Sequence, residues 1–90
     1  MIKYSRHAFK RMFERDISFD EIHELLRSGE VIEEYPDDEP FPSRLVFGVI
    51  KGRPLHLVFS TDDSGNKYII TLYEPDGLKW EPDLKTRRKS

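Results

Sequence analysis

The chain has 90 residues, of which 37% are hydrophobic and 36% charged, and it contains six Phe, four Tyr, one Trp and no Cys. A chain of this length hides only roughly 60–65% of the surface that its unfolded form exposes, and its aromatic content is too high for a disordered segment. We therefore expect one domain over residues 1–90, with an ordered core of about 4–75 and a C-terminal tail of about 76–90. Disulfides and thiolate zinc sites are excluded, and the absence of any long apolar run or signal-peptide core favours a cytoplasmic protein without membrane association.

The charges are unevenly distributed along the chain. Residues 1–15 contain five Lys or Arg against Glu14 alone, whereas residues 16–39 contain ten Asp or Glu against Arg27 alone. The overall net charge of −2 argues against a general polyanion binder but permits a local anion site near the N-terminus. The acidic stretch is explained by a solvated strand and loop, or alternatively by a surface for a basic partner such as a neutralising protein.

Two helices are indicated in the first third of the chain. Ser5 is a suitable N-cap for a helix over about residues 6–15, in which apolar side chains at positions 8, 9, 12 and 13 face inward. Ser18 and Glu21 form a capping-box pattern for a second helix, and Gly29 lies where a C-terminal cap belongs. The tight connection between the helices predicts a turn conformation, with positive φ, at Asp16.

From residue 30 onward the hydrophobic period is that of strands. Four strands are predicted, at about residues 31–35, 45–50, 55–60 and 68–73, with a tight hairpin at Lys51–Pro54. The predicted fold is α+β, with two N-terminal helices packed on one face of an antiparallel sheet of about four strands. Alternation predicts which residues share a face. The helix-covered face takes Leu55, Leu57, Phe59, Tyr68, Ile70 and Leu72, and the opposite, exposed face takes His56, Val58, Ser60, Ile69, Thr71 and Tyr73.

The first helix carries the most informative polar pattern. His7, Arg11 and Arg15 repeat at i, i+4 and i+8, so they fall on one stripe of the helix. A titratable imidazole beside two permanent cations suits anion chemistry. An ordinary solvated helix face explains the same pattern equally well.

Four spaced motifs give the chain a family resemblance. They are H-A-x-x-R-M-x-x-R at residues 7–15, G-E-V-I-x-x-Y-P at 29–36, R-P-L-H at 53–56 and T-x-Y-E-P at 71–75. Together they resemble the domain of unknown function 4258, over most of residues 5–84. Asp16 stands where Gly is usual, and Phe41 stands where Tyr is common.

That family is distantly similar to the RelE/ParE-like toxins, which pair N-terminal helices with a curved antiparallel sheet. Some toxins of this type are metal-independent ribonucleases and others inhibit different targets, so the resemblance implies RNA as a candidate substrate and a neutralising protein as a candidate partner. Metal-free RNA cleavage needs a base, an acid and cations around the phosphate. The catalytic candidates are His7, Arg11, His56 and Tyr73. The candidates for binding RNA phosphate are Arg15, Arg53 and Thr71.

Each candidate also has a structural explanation. His56 is as well explained by a ring hydrogen-bonded to a neighbouring strand, and Thr71 and Tyr73 are ordinary strand residues by propensity. The three histidines lie in different predicted elements and no metal-binding spacing occurs, so we expect no metal and no cofactor. The function predicted is a metal-independent endoribonuclease, and the alternative is a non-enzymatic interaction or regulatory module with the same fold. The sequence does not indicate the oligomeric state.

Overall fold

The computed structural model describes residues 1–89, and Ser90, the last residue of the predicted tail, lies outside the described residues. The described chain is α+β. Its elements are β1 (Ile2–Tyr4), α1 (Arg6–Arg15), α2 (Phe19–Ser28), β2 (Glu30–Tyr35), β3 (Ser43–Ile50), β4 (Arg53–Thr61) and β5 (Lys67–Tyr73). Among residues 1–89, neither helix has the length and apolar content that a membrane crossing requires.

The five strands form one mixed sheet in the order β1-β5-β4-β3-β2. All pairs are antiparallel except β1 and β5, which are parallel. The prediction of about four antiparallel strands was therefore wrong in strand number and in orientation. The strand that it missed, β1, has only three residues, too few to show alternation. Its parallel pairing with β5 joins segments more than sixty residues apart, and no local sequence pattern predicts such a pairing.

The ends of α1 follow from hydrogen bonds that the sequence indicated. The Ser5 hydroxyl accepts from the Ala8 amide at 2.9 Å, and the same hydroxyl donates to the Ile70 carbonyl at 2.8 Å, so the cap also joins the helix to β5. Asp16 has φ 53°, which confirms the predicted turn. The Ile17 amide then donates to the Met12 carbonyl at 2.9 Å, which closes a Schellman motif.

Helix α2 begins and ends at the predicted signals. In its capping box the Ser18 amide donates to Glu21 Oε1 at 2.8 Å, and the Glu21 amide donates to Ser18 Oγ at 3.1 Å. The chain passes from α2 into β2 through Gly29, which lies against β3. A Cβ atom at Gly29 would be 2.3 Å from Val46 Cγ1 and 2.5 Å from the Leu25 carbonyl oxygen. Only glycine fits this approach of helix to sheet.

The predicted hairpin joins β3 and β4 through two residues. Lys51 and Gly52 both have positive φ, 52° and 79°, which is the signature of a type I′ turn. This turn fixes the register of the two central strands, so that Val46 pairs with Leu57 and Phe47 pairs with His56.

The helices cover one face of the sheet and enclose the main core. Leu55, Leu57 and Phe59 belong to it, as predicted. The core residues are Ala8, Met12, Ile17, Ile22, Leu25, Val46, Ile50, Leu55, Leu57, Phe59, Ile69 and Leu72. The face assignment for β5 was right for Leu72 but wrong for Ile69 and Ile70, because the register shifts where Val58 and Phe59 pair with that strand. The resulting bulge brings Ile69 into the core with Leu72 and leaves Ile70 partly exposed.

The opposite face of the sheet is covered by residues 76–89. Trp80 is 2% exposed and has the largest fully buried side chain among the described residues. His56 is 0% exposed, so the prediction of an exposed patch around it was wrong. The physical reason is that the tail returns over this face rather than extending into solvent, as the Trp80–Arg87 bridge and the 2.8 Å hydrogen bond from the Glu81 amide to the Thr86 carbonyl show.

The close approach at Gly29 gives a prediction about stability. Gly29→Ala is expected to lower the free energy of unfolding by roughly 1–3 kcal/mol, because the added methyl group would force Val46 and the helix end apart. Gly77→Ala is the matched control, since a Cβ at Gly77 has no atom within 4 Å. Urea unfolding of both variants measures the difference, and equal effects of the two substitutions would contradict this account of Gly29.

Candidate functional site

A cleft of about 410 Å³ lies between α1, the end of β5 and the C-terminal tail. We refer to it as the α1–tail cleft. Its lining residues are Arg11, Arg15, Thr71, Tyr73, Glu74, Asp76, Lys79, Trp80 and Arg87. Four of these side chains are cationic and two are anionic, so the cleft combines a net positive charge with a phenol and a hydroxyl.

Helix α1 supplies two of the cations because of its spacing. Arg11 and Arg15 are one helical turn apart and lie beside the buried stripe formed by Ala8 and Met12. Arg11 makes a 3.7 Å ion pair with Glu14, and both side chains are well exposed, so this pair contributes little to stability. His7 is exposed one turn earlier, and its Nε2 accepts a long hydrogen bond of 3.5 Å from Arg11 Nε.

His56 lies beneath the cleft, enclosed by three aromatic rings. The ring centroids of Phe47, Tyr73 and Trp80 are 5.8, 5.2 and 4.5 Å from the imidazole centroid, and all three rings meet it edge to face. Both ring nitrogens have protein partners: Nε2 lies 2.7 Å from the Leu84 carbonyl oxygen, and Nδ1 lies 3.2 Å from the Tyr73 hydroxyl oxygen. Solvent therefore does not reach this imidazole directly.

These two contacts determine the tautomer of His56. A carbonyl oxygen can only accept, so Nε2 must carry the proton and donate to Leu84. In the neutral ring Nδ1 is then an acceptor, and it receives the Tyr73 hydroxyl proton. Burial lowers the pKa of His56 despite the hydrogen bond to Leu84, which acts in the opposite direction. Burial also raises the pKa of Tyr73, so in the resting state a neutral phenol donates to a neutral imidazole.

The tail is held over His56 by a stack of charged and aromatic groups. Arg87 donates to both carboxylate oxygens of Glu33, at 2.9 and 3.2 Å, and its guanidinium carbon lies 4.7 Å from the Trp80 ring centroid. Burial raises the pKa of Glu33, but the hydrogen bonds from Arg87 and Tyr35 outweigh it, so the pKa is lowered overall. The Glu33–Arg87 pair thus keeps its charge and fixes Trp80 against the imidazole.

Arg53 lies at a different place. Its guanidinium donates to the carbonyl oxygens of Arg15 and Asp16, the latter at 2.9 Å, and lies 3.5 Å from Glu21 Oε2. A cation at the C-terminal end of a helix is favourable because the last carbonyls and the helix dipole present negative charge there. Arg53 therefore joins the end of α1 to the start of α2, and it does not line the α1–tail cleft.

The predicted site residues thus divide into three environments. Arg11, Arg15, Thr71 and Tyr73 share the α1–tail cleft, and His7 adjoins it through Arg11. His56 lies behind Tyr73, whereas Arg53 is on another surface. The sequence reasoning missed Lys79, Trp80 and Arg87, because it treated residues 76–90 as a tail. The signal available was the only Trp of the sequence, which stands beside Lys79 and is followed by a basic cluster at residues 85–89.

The described residues do not suggest a metal centre. Residues 1–89 contain no group of three His, Cys, Asp or Glu side chains placed to hold one ion. The guanidinium, ammonium and phenol groups of the cleft can bind phosphate and carboxylate through charge-assisted hydrogen bonds.

The buried neutral His56 predicts a pH dependence of folding. In the unfolded chain the pKa of this side chain is about 6.5, whereas its pKa in the folded protein is lower. The unfolded state therefore binds the extra proton first, and stability that is present above pH 6.5 is lost as the pH falls below it. The free energy of unfolding should therefore be lower at pH 5.5 than at pH 7.5.

Two variants separate this effect from other titrations. His56→Gln should flatten the pH dependence of the unfolding free energy between pH 7.5 and 5.5, since the titrating group is gone. His23→Gln, at an exposed position of α2, should leave the dependence unchanged. A wild-type protein whose urea midpoint is constant over this interval would show that His56 protonates equally in both states.

The comparisons with known proteins identify a family without an assigned activity. Neither a curated protein nor a solved structure matches the chain significantly. The family model described as "Domain of unknown function (DUF4258)" matches residues 4–74, from the last residue of β1 to the residue after β5. The match includes five residues of the α1–tail cleft: Arg11, Arg15, Thr71, Tyr73 and Glu74. The chain therefore belongs to the DUF4258 family.

Proposed function

We propose that the chain is a metal-independent endoribonuclease of the toxin type, and that the α1–tail cleft binds the RNA phosphate to be cleaved. The observation that carries this proposal is the meeting of Arg11 and Arg15 with Tyr73 and Lys79 in one cleft. These residues come from three separate parts of the chain, so their convergence is not a consequence of helix periodicity.

The cleft can supply charge to a phosphate. Arg15 and Lys79 form no ion pair with any other of residues 1–89, and the Arg11–Glu14 pair is exposed and weak. Guanidinium groups match the geometry of phosphate oxygens and stay charged at any physiological pH. A phosphorane intermediate gains negative charge, and such cations stabilise it more than the ground state.

The Tyr73–His56 pair offers a route for the proton that must leave the ribose. In the proposed step the 2′-oxygen transfers its proton to the Tyr73 oxygen while the Tyr73 proton passes to His56 Nδ1 across 3.2 Å. The 2′-oxygen attacks phosphorus as the bond from phosphorus to the 5′-oxygen breaks. In this step His7 enters as an imidazolium, no longer accepting from Arg11, and it becomes neutral by giving a proton to the leaving 5′-oxygen. The products are a 2′,3′-cyclic phosphate and a 5′-hydroxyl, and the hydrogen bond from Nε2 to Leu84 supports the imidazolium that forms.

The arrangement of two helices on one face of a five-stranded sheet supports the same proposal through its likeness to RelE/ParE-like toxins. That likeness is part of the proposal, as are the cytoplasmic location and a neutralising protein partner. Fold likeness carries an activity only weakly, so the argument rests on the cleft.

A non-enzymatic interaction module is the second candidate. The enclosure of His56 favours it, because an imidazole that is fully buried with both nitrogens hydrogen-bonded is also what a purely structural residue looks like. In that case the cleft binds an anionic group of a partner and no proton moves.

An RNA cleavage assay in the presence of EDTA distinguishes the two candidates. We expect the wild-type chain to cleave single-stranded RNA and leave a 2′,3′-cyclic phosphate. Tyr73→Phe should slow cleavage by about a hundredfold or more, because it removes the proton relay and retains the ring. Arg15→Ala should slow it by a similar factor through lost transition-state stabilisation.

The control for these variants is Arg27→Ala, which removes an exposed arginine of α2 that lies outside the cleft. It should cleave as fast as the wild type. If varied single-stranded RNAs stay intact at high protein concentration, or if Tyr73→Phe retains full activity, the nuclease proposal fails.

A further inference from the structure

The other side of α1 borders a second depression, of about 680 Å³, which we call the aromatic groove. Its lining residues are Phe9, Met12, Phe13, Asp16, Ile17, Ser18, Phe19, Glu21, Lys51 and Arg53. The rings of Phe9 and Phe19 pack on Tyr4 with centroids 5.4 and 5.0 Å away, so they are fixed in position. Fixed, exposed rings bind without a large loss of side-chain entropy.

These rings expose an unusual amount of apolar surface. Phe13 is 87% exposed, and Phe9 and Phe19 are 49% and 50% exposed, so the prediction that positions 9 and 13 face inward was wrong. Because a phenylalanine buries about 200 Å² when covered, the three rings together expose roughly 350 Å². A continuous apolar patch of this size on a small protein commonly marks a contact surface. It is nearly half of the roughly 800 Å² that each partner contributes to a standard interface.

The charges around the aromatic groove are balanced. Glu21 and Arg53 lie 3.5 Å apart and neutralise each other. Asp16 and Lys51 remain, one of each sign, and neither forms an ion pair with another of residues 1–89. A rim of this kind gives no preference for a strongly acidic or a strongly basic partner, but it is complementary to itself.

We propose that the aromatic groove is the interface of a symmetric homodimer. In a two-fold interface the same patch faces its own copy, so Asp16 of one copy can pair with Lys51 of the other, and this pair occurs twice. Phe9 and Phe13 are one turn apart on α1, so the exposed helix ridges can interdigitate with those of the second copy. The three rings of each copy become covered by the other.

The dimer leaves both α1–tail clefts open. Ala8 and Met12 face the sheet, and they separate the aromatic side of α1 from the side that carries Arg11 and Arg15. The proposal does not depend on the nuclease proposal, since either a catalytic or a merely anion-binding cleft would be presented twice by the dimer.

Sedimentation equilibrium on the full chain tests the proposal. The wild type should be predominantly dimeric at about 100 µM, and Phe13→Glu should raise the dissociation constant at least about tenfold. Because Phe13 is almost fully exposed, the substitution should leave the circular dichroism unchanged, and it should leave the unfolding midpoint unchanged at concentrations where the wild type is monomeric. Leu78→Glu is the matched control: Leu78 is 86% exposed but outside the groove, so this variant should dimerise like the wild type.

A second variant tests the polar part of the interface without removing a ring. Lys51→Asn is compatible with the positive φ at this position and should weaken the dimer by a smaller factor. A wild-type chain that is monomeric at about 100 µM overturns the proposal. So does a dimer that Phe13→Glu leaves intact, because the interface would then lie elsewhere on the molecule.

Discussion

The Trp80 ring meets the His56 imidazole edge to face with their centroids 4.5 Å apart, and this contact closes the side of the sheet that the helices leave uncovered. Two ten-residue helices can cover only one face of a five-stranded sheet. His56 points away from that face and is nevertheless fully buried, because the tail returns over it. The Glu33–Arg87 pair and the Leu84 carbonyl hold the tail in place. Because the tail forms one wall of the α1–tail cleft, that wall exists only while the tail stays packed on His56.

The local structure was largely predictable because its signals are local. Ser5, Ser18 and Glu21 cap the helices through groups three residues away, and Asp16 and Lys51 adopt positive φ where tight connections require it. Within α1, only Ala8 and Met12 of the four apolar positions predicted to face inward are buried. The other errors concern pairings that no short window contains. The three residues of β1 are too few to establish a period. In β5, apolar side chains occur on both faces of the strand, so the sequence pattern does not indicate the bulge that moves Ile69 into the core.

The candidate site was predictable only where local geometry places its residues. Arg11 and Arg15 are linked by helix geometry, and their association with Thr71 and Tyr73 follows once α1 is placed on β5. The burial of His56 could not be inferred, because it depends on residues almost thirty positions later in the chain. Arg53 has the right chemistry for phosphate, but the sequence does not show that two backbone carbonyls and Glu21 already satisfy its guanidinium.

The position of Arg53 also explains why Arg15 is available to the cleft. An arginine in the last turn of a helix is normally drawn towards the carbonyls at its own C-terminus, where the helix dipole is negative. Here the Arg53 guanidinium occupies the carbonyls of Arg15 and Asp16, so this attraction is satisfied by another strand. The Arg15 side chain is then left on the side of α1 that faces Tyr73 and the tail. A residue outside the cleft therefore contacts the backbone of one that lines it, so an effect of changing Arg53 on the cleft would not by itself place that arginine in it.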